Sequence, residues 1–163
     1  MHALIYALVE ASHRDEALAA SKSAFDRLTG ARPDCAPVFD YYVTFDDDGT
    51  IVAGRARWGE LPIAVPITSD EGQQLLERGL QATEQEFQRN LDRIKEGLGE
   101  YSDEAIMRDE DLIRHACHQL GAYEGSPIFL YDEFGSGIRH RDRLDAILDG
   151  SDDLWIVPAD VHF

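Results

Sequence analysis

The chain has 163 residues, 44% of them hydrophobic, enough to bury one core and too few for two comfortable domains. Its 32 Asp and Glu stand against 15 Lys and Arg, a formal charge of -17. That balance argues against a duplex-DNA binder, whose affinity comes from neutralising phosphates with basic groups, and no run approaches the ~18 apolar residues of a membrane span.

Only two lysines occur, Lys22 and Lys95. Self-repulsion at this charge opposes compaction at ordinary ionic strength, whereas molar salt shortens the Debye length to about 3 Å and mutes it. Short Asp side chains and arginine in place of lysine also remove flexible apolar stems from the surface. The carboxylates are spread over the whole chain rather than gathered in a tail, and adaptation to concentrated salt is preferred over mimicry of nucleic acid, which would also be acidic throughout. Cys35 and Cys117 form neither a CxxC nor a dense framework, and read as buried free thiols of a reducing cytoplasm. The apolar start from Ala3 to Val9 lacks a basic flank and is cut short by Glu10, so no secretory leader is expected.

In chain order, His2 to Val9 reads as a central strand buried on both faces. Ser12 is a helix N-cap, and Ala17, Leu18, Ser21, Phe25 and Leu28 make one stripe of a helix ended by Gly30 and Pro33. Phe39 to Phe45 alternates, and an Asp46-Asp47-Asp48-Gly49 turn predicts a hairpin with Ile51 to Trp58. Pro62 and Pro66 restrict Leu61 to Ile67 to an edge or a loop.

Ser69 caps a long helix whose Leu76, Leu80, Phe87, Leu91, Ile94 and Leu98 share a stripe up to about Gly99. At about 1.5 Å per residue it is as long as the domain, so it either bends near Gly79 or projects. Ser102 and Asp109 are further N-caps, the second opening a helix with Leu112, Ile113, Ala116, Cys117 and Leu120 inward and Gly121 closing it. Pro127 to Tyr131 predicts a strand, Arg139 to Leu148 a short helix, and Leu154 to Val157 a last strand with Pro158 to Phe163 as its tail. The expected fold is therefore α+β: one domain over 1–163 with a ferredoxin-like βαββαβ core, helices on one face, an extra helix and a C-terminal helix–strand extension.

No nucleophile elbow, P-loop, HExxH or dinucleotide fingerprint is present. The run of Gly135, Ser136, Gly137, Arg139, His140, Arg141 and Arg143 follows a strand and opens a helix, where free amides and three arginines could receive an anion. Its duller reading is pairing of those arginines with Asp132, Glu133, Asp142 and Asp145. Asp111, His115 and His118 share one helical face at a spacing that could ligate zinc, set against a plain solvated face. The Asp46 turn is preferred as a turn over a cation loop. Asp160 and His162 make an acid–imidazole pair by spacing, read as outward-facing beside a packed Val161 and Phe163. Arg55, Arg57 and Trp58 form a lesser basic and aromatic group.

The acidic, lysine-poor composition, with Phe39 to Phe45 (FDYYVTF), Ser102 to Asp111 (SDEAIMRDED) and Leu154 to Phe163 (LWIVPADVHF), resembles the small uncharacterised proteins of extremely halophilic archaea. The resemblance spans the chain, is compositional, and brings no activity, catalytic residue or cofactor with it. The function expected first is non-catalytic: a cytoplasmic protein that binds a partner protein or forms a homo-oligomer through its long helix. A phosphate-bearing ligand, nucleotide or RNA, held by 135–143 is the second reading, and a metal-dependent hydrolase using Asp111, His115 and His118 the third.

Overall fold

The computed structural model describes residues 1–31, 36–47, 51–121 and 128–162. The elements run β1 (His2–Glu10), α1 (Arg14–Leu28), β2 (Tyr41–Thr44), α2 (Arg55–Trp58), β3 (Val65–Pro66), α3 (Asp70–Glu100), α4 (Asp103–Arg108), α5 (Asp111–Gly121), β4 (Leu130–Asp132), α6 (Arg141–Leu148) and β5 (Leu154–His162). The architecture is α+β, with one five-stranded sheet in the order β2-β5-β1-β4, and β3 added to β5 beyond the end of β2. β1 is parallel to β4 and antiparallel to β5.

That order is not the ferredoxin-like one, and the helices lie on both faces. The odd-numbered residues Ile5, Ala7 and Val9 of β1, with Val157, Ala159 and Val161 of β5, pack with Ala17, Phe25 and Leu28 of α1. The even-numbered Tyr6 and Leu8, with Leu154 and Ile156, pack with Leu75, Leu76 and Leu80 of α3 and Leu144 of α6. Because both phases of the strand are covered, β1 has to be apolar nearly throughout.

Among the described residues the expected hairpin is absent. β2 pairs with β5, Tyr41 opposite His162 and Thr44 opposite Ala159. Ile51 is 90% exposed, and the chain after it turns into the one-turn helix α2, so Arg55, Arg57 and Trp58 are not on a strand. Asp48 and Gly49 of the predicted turn lie outside the described residues, as do Pro33, Cys35, Pro127 and Phe163.

The last strand continues far past Val157. Pro158 sits in the middle of a central strand, which the loss of an N–H donor would ordinarily forbid. Tyr6 donates its N–H to the Phe129 carbonyl at 2.9 Å, so at the Tyr6–Pro158 pair the β1 polar groups face β4 and those of Pro158 face away from β1. On that far side β2 has stopped opposite Ala159, and β3 begins opposite Ile156. The missing donor therefore faces the break between two short edge strands.

Local signals explain the helix ends. His13, not Ser12, caps α1 by accepting the Glu16 N–H, while Glu16 reaches back to the Ser12 N–H and hydroxyl at 2.8 and 2.6 Å. Ser69 and Ser102 cap α3 and α4 as expected. The α3 helix runs unbroken for 31 residues. At Gly79 a Cβ would lie 2.9 Å from the Tyr6 ring, so the glycine lets the helix rest directly on the sheet.

Thr83 Oγ1 accepts the Phe129 N–H, and α3 packs on α5 as well as on the sheet. A Cβ at Gly97 would lie 3.0 Å from Ile113, which marks where those helices meet. The inward stripe expected of α5 is correspondingly thin. Ala116 is buried, but Leu112 and Cys117 are exposed, so Cys117 is not the buried thiol its residue type suggested.

Candidate functional site

The basic segment after β4 is a tight β-turn with most of its polar groups engaged. Asp132 accepts the N–H groups of Phe134 and Ser136, both at 2.9 Å, and Gly135 takes a φ of +77° to close the turn. Gly137 then forms a bridge with Tyr131. His140 caps α6 with its own Nδ1, 3.3 Å from the Arg143 N–H.

The basic side chains diverge from there. Arg143 turns to Asp132 at 3.3 Å, and Arg139 donates to the Leu120 carbonyl at 3.3 Å. Arg141 grips Glu77 of α3 with two hydrogen bonds of 2.7 and 2.6 Å, which hold the Glu77 carboxyl below its usual range. Gly135, Ser136, Gly137, Arg139, His140, Arg141 and Arg143 are thus neighbours in sequence whose donors point to different partners.

Asp111, His115 and His118 do share one exposed side of α5, together with Arg114. Arg114 sits 3.4 Å from Glu110 and 3.9 Å from Asp111. Among the described residues no three His, Cys, Asp or Glu side chains gather closely enough to hold a metal ion.

A different constellation is assembled by the sheet itself. His2 is the first residue of β1 and stands opposite His162 of β5, which stands opposite Tyr41 of β2. Asp160, two residues back along β5, is on the same face. Its side chain is 0% exposed, with one carboxylate oxygen 3.0 Å from His2 Nδ1 and the other accepting the Gly54 N–H at 2.8 Å. Gly54 holds a φ of +57° to present that N–H, a conformation glycine adopts freely.

His162 forms a second, more exposed pair, with Nδ1 2.8 Å from Asp40. The Tyr41 ring stacks on His162 at 5.2 Å, and its hydroxyl is 3.5 Å from His2 Nε2. A carboxylate on Nδ1 fixes the imidazole ring and places the proton there, leaving Nε2 to exchange protons or hydrogen bonds with a neighbour.

Asp160 and His162 are therefore not the outward-facing pair that their spacing suggested, because Asp160 is buried and its imidazole partner is His2. The signal was present in the sequence. Polar residues occupy the inward phase of two otherwise apolar strands, at His2 before Leu4 and at Asp160 after Ile156, but only the β1–β5 register shows that they meet.

With sheet order and site in hand, the class is that of an α+β protein with a buried carboxylate–imidazole pair at one end of its central strands. The chain matches the model of the family described as "Domain of unknown function (DUF7995)" over residues 1–163 and belongs to that family. No curated protein and no solved structure matches it. Among the described residues, no helix is long and apolar enough to cross a membrane.

Proposed function

We propose that residues 1–163 form one domain of a non-catalytic, salt-adapted cytoplasmic protein that associates with a second copy of itself through the arm made by the outer half of α3 with α4 and α5. The observation that carries this reading is a group of exposed apolar side chains on this arm, beside others elsewhere such as Ile51 and Phe134. Leu98, Tyr101, Met107 and Leu112 are exposed, with Met107 at 85%, and all belong to this arm. Beside them lies a groove of about 230 Å³ lined by Tyr101, Ala105, Ile106, Asp109, Leu112 and Ile113. Grouped exposed hydrophobes mark interaction surfaces more often than scattered ones do. A self-complementary face related by a two-fold axis is the commonest way to cover one, and molar salt removes the charge repulsion between two chains of -17.

Light scattering in molar KCl tests the proposal. The expected result is a dimer that Met107→Asp together with Leu112→Asp converts to a monomer of unchanged circular dichroism. A wild-type chain that stays monomeric at every concentration would overturn it. The phosphate reading through 135–143 has less support, since Arg141 and Arg143 already hold carboxylates. Zinc chemistry at Asp111, His115 and His118 has geometric support only in the shared face of α5.

A further inference from the structure

We propose that the His2–Asp160 pair belongs to a binding site for a small phosphate-bearing ligand, in the cavity between the start of β1, the middle of α3 and α5. The cavity measures about 590 Å³, within the range of small-molecule sites. His2 forms part of one wall, Arg89, Asn90 and Arg93 of α3 another, and His115 and Gln119 of α5 a third.

Three features point to an anion there. First, the local charge runs against the molecule: two arginines and two histidines face one carboxylate, Glu86, in a chain whose formal charge is -17. Second, Arg89 and Arg93 are one helical turn apart on α3 and line the same cavity. Arg89 is braced by Glu86, and Arg93 makes no ion pair with a described residue.

Third, Asp160 is spent on orienting His2. A carboxylate with no exposed surface is costly to bury, and satisfying the Gly54 N–H alone does not require a histidine beside it. What the pair adds is a ring locked by its Nδ1 contact at the edge of a basic cavity. Phosphate oxygens accept several converging N–H donors at once, which the two guanidinium groups supply beside the His2 ring. His115, assigned on sequence grounds to a metal, contributes here as a further donor. This site is separate from the apolar groove on the arm and does not depend on self-association.

Phosphorus NMR of inorganic phosphate, titrated with the full chain in molar KCl at constant ionic strength, provides the test. The wild type is expected to broaden the phosphate signal in a saturable way. Arg93→Ala should weaken binding about tenfold or more, as removal of a charge-assisted donor does, and Arg89→Ala with Arg93→Ala should abolish it. Both side chains are exposed, so the fold is expected to persist. His2→Gln should weaken binding further in the single-arginine background, and Arg141→Ala on α6 should leave it unchanged. No saturable broadening by the wild type would overturn the proposal. So would broadening that survives in the double arginine variant, or that is lost in Arg139→Ala with Arg141→Ala, which would place the anion at the glycine-rich turn instead.

Discussion

Asp160 has both carboxylate oxygens committed to N–H donors, from Gly54 and His2, in a place that water does not reach. Asparagine there can accept only one of those donors and turns an amide N–H₂ toward the other. Asp160→Asn is therefore expected to cost about 1–3 kcal/mol, read from denaturant melts at fixed salt. The double change Asp160→Val with His2→Leu should recover only the His2 share of that loss, because it leaves the buried Gly54 N–H without its acceptor. If the single substitution proved neutral, the pair would not be buried as described. Tyrosine ionisation checks the same scale. Burial and the Asp26 carboxylate, which accepts the Tyr42 hydroxyl at 2.9 Å, both raise the Tyr42 phenol, and burial raises Tyr6 against the opposing pull of Arg78. A phenol raised in the folded state stabilises the fold fully below its unfolded value of about 10 and loses that contribution as the pH climbs above it. Alkaline titration followed by phenolate absorbance should leave part of the six tyrosines un-ionised until the fold opens, and Tyr42→Phe should shrink that part. Complete ionisation with the fold intact would contradict this.

At the scale of elements, the three glycines buried in α3 separate helix propensity from packing. Glycine in a helix interior ordinarily costs about 0.5–1 kcal/mol relative to alanine. At Gly72, however, a Cβ would lie 2.2 Å from the Pro66 carbonyl oxygen, a backbone atom that cannot swing aside, whereas at Gly99 nothing lies within 4 Å. Gly99→Ala should raise stability by about that amount and Gly72→Ala should lower it, both measured as thermal shifts. Equal gains would mean that α3 does not press on β3. The legibility of the elements divides along the same line. Caps at Ser69 and Ser102, the α1 stripe and the apolar β1 were readable because their causes lie within a turn or two of chain. The partner of β2 was not, since β5 lies over a hundred residues away and an Asp-Gly dipeptide invited a local hairpin. The end of β5 was misplaced because Pro158 breaks a central strand unless its missing N–H faces a gap, and that gap exists only once β2 and β3 are both in position.

The whole molecule shows how a correct element can sit beside a wrong architecture. An apolar β1 covered on both sides conflicts with a ferredoxin-like sheet whose helices share one face, and the observed α1 and α3 on opposite faces resolve the conflict in favour of the strand. The basic side chains of the glycine-rich turn diverge for a related reason. Arginines close in sequence at 139–143 were drawn to separate partners, while Arg89, Arg93, His2 and His115, dispersed along the chain, line one cavity. What the sequence could state most directly was its charge. The ion pairs of the helices, such as Arg108 with Glu104 at 2.5 Å, are exposed and contribute little each, so they do not offset a net charge of -17. If the carboxylates repel one another in dilute buffer, raising KCl from about 0.1 M to about 1 M, which cuts the Debye length from about 10 Å to about 3 Å, should raise the melting temperature steeply at first and then less so. Sucrose at matched water activity strengthens apolar burial by exclusion but screens nothing. It should reproduce only the late, shallow part of that rise. An equal response to both, or none to KCl, would mean that the charges are already neutralised within the fold or by a bound partner, and that salt is not what holds this acidic surface together.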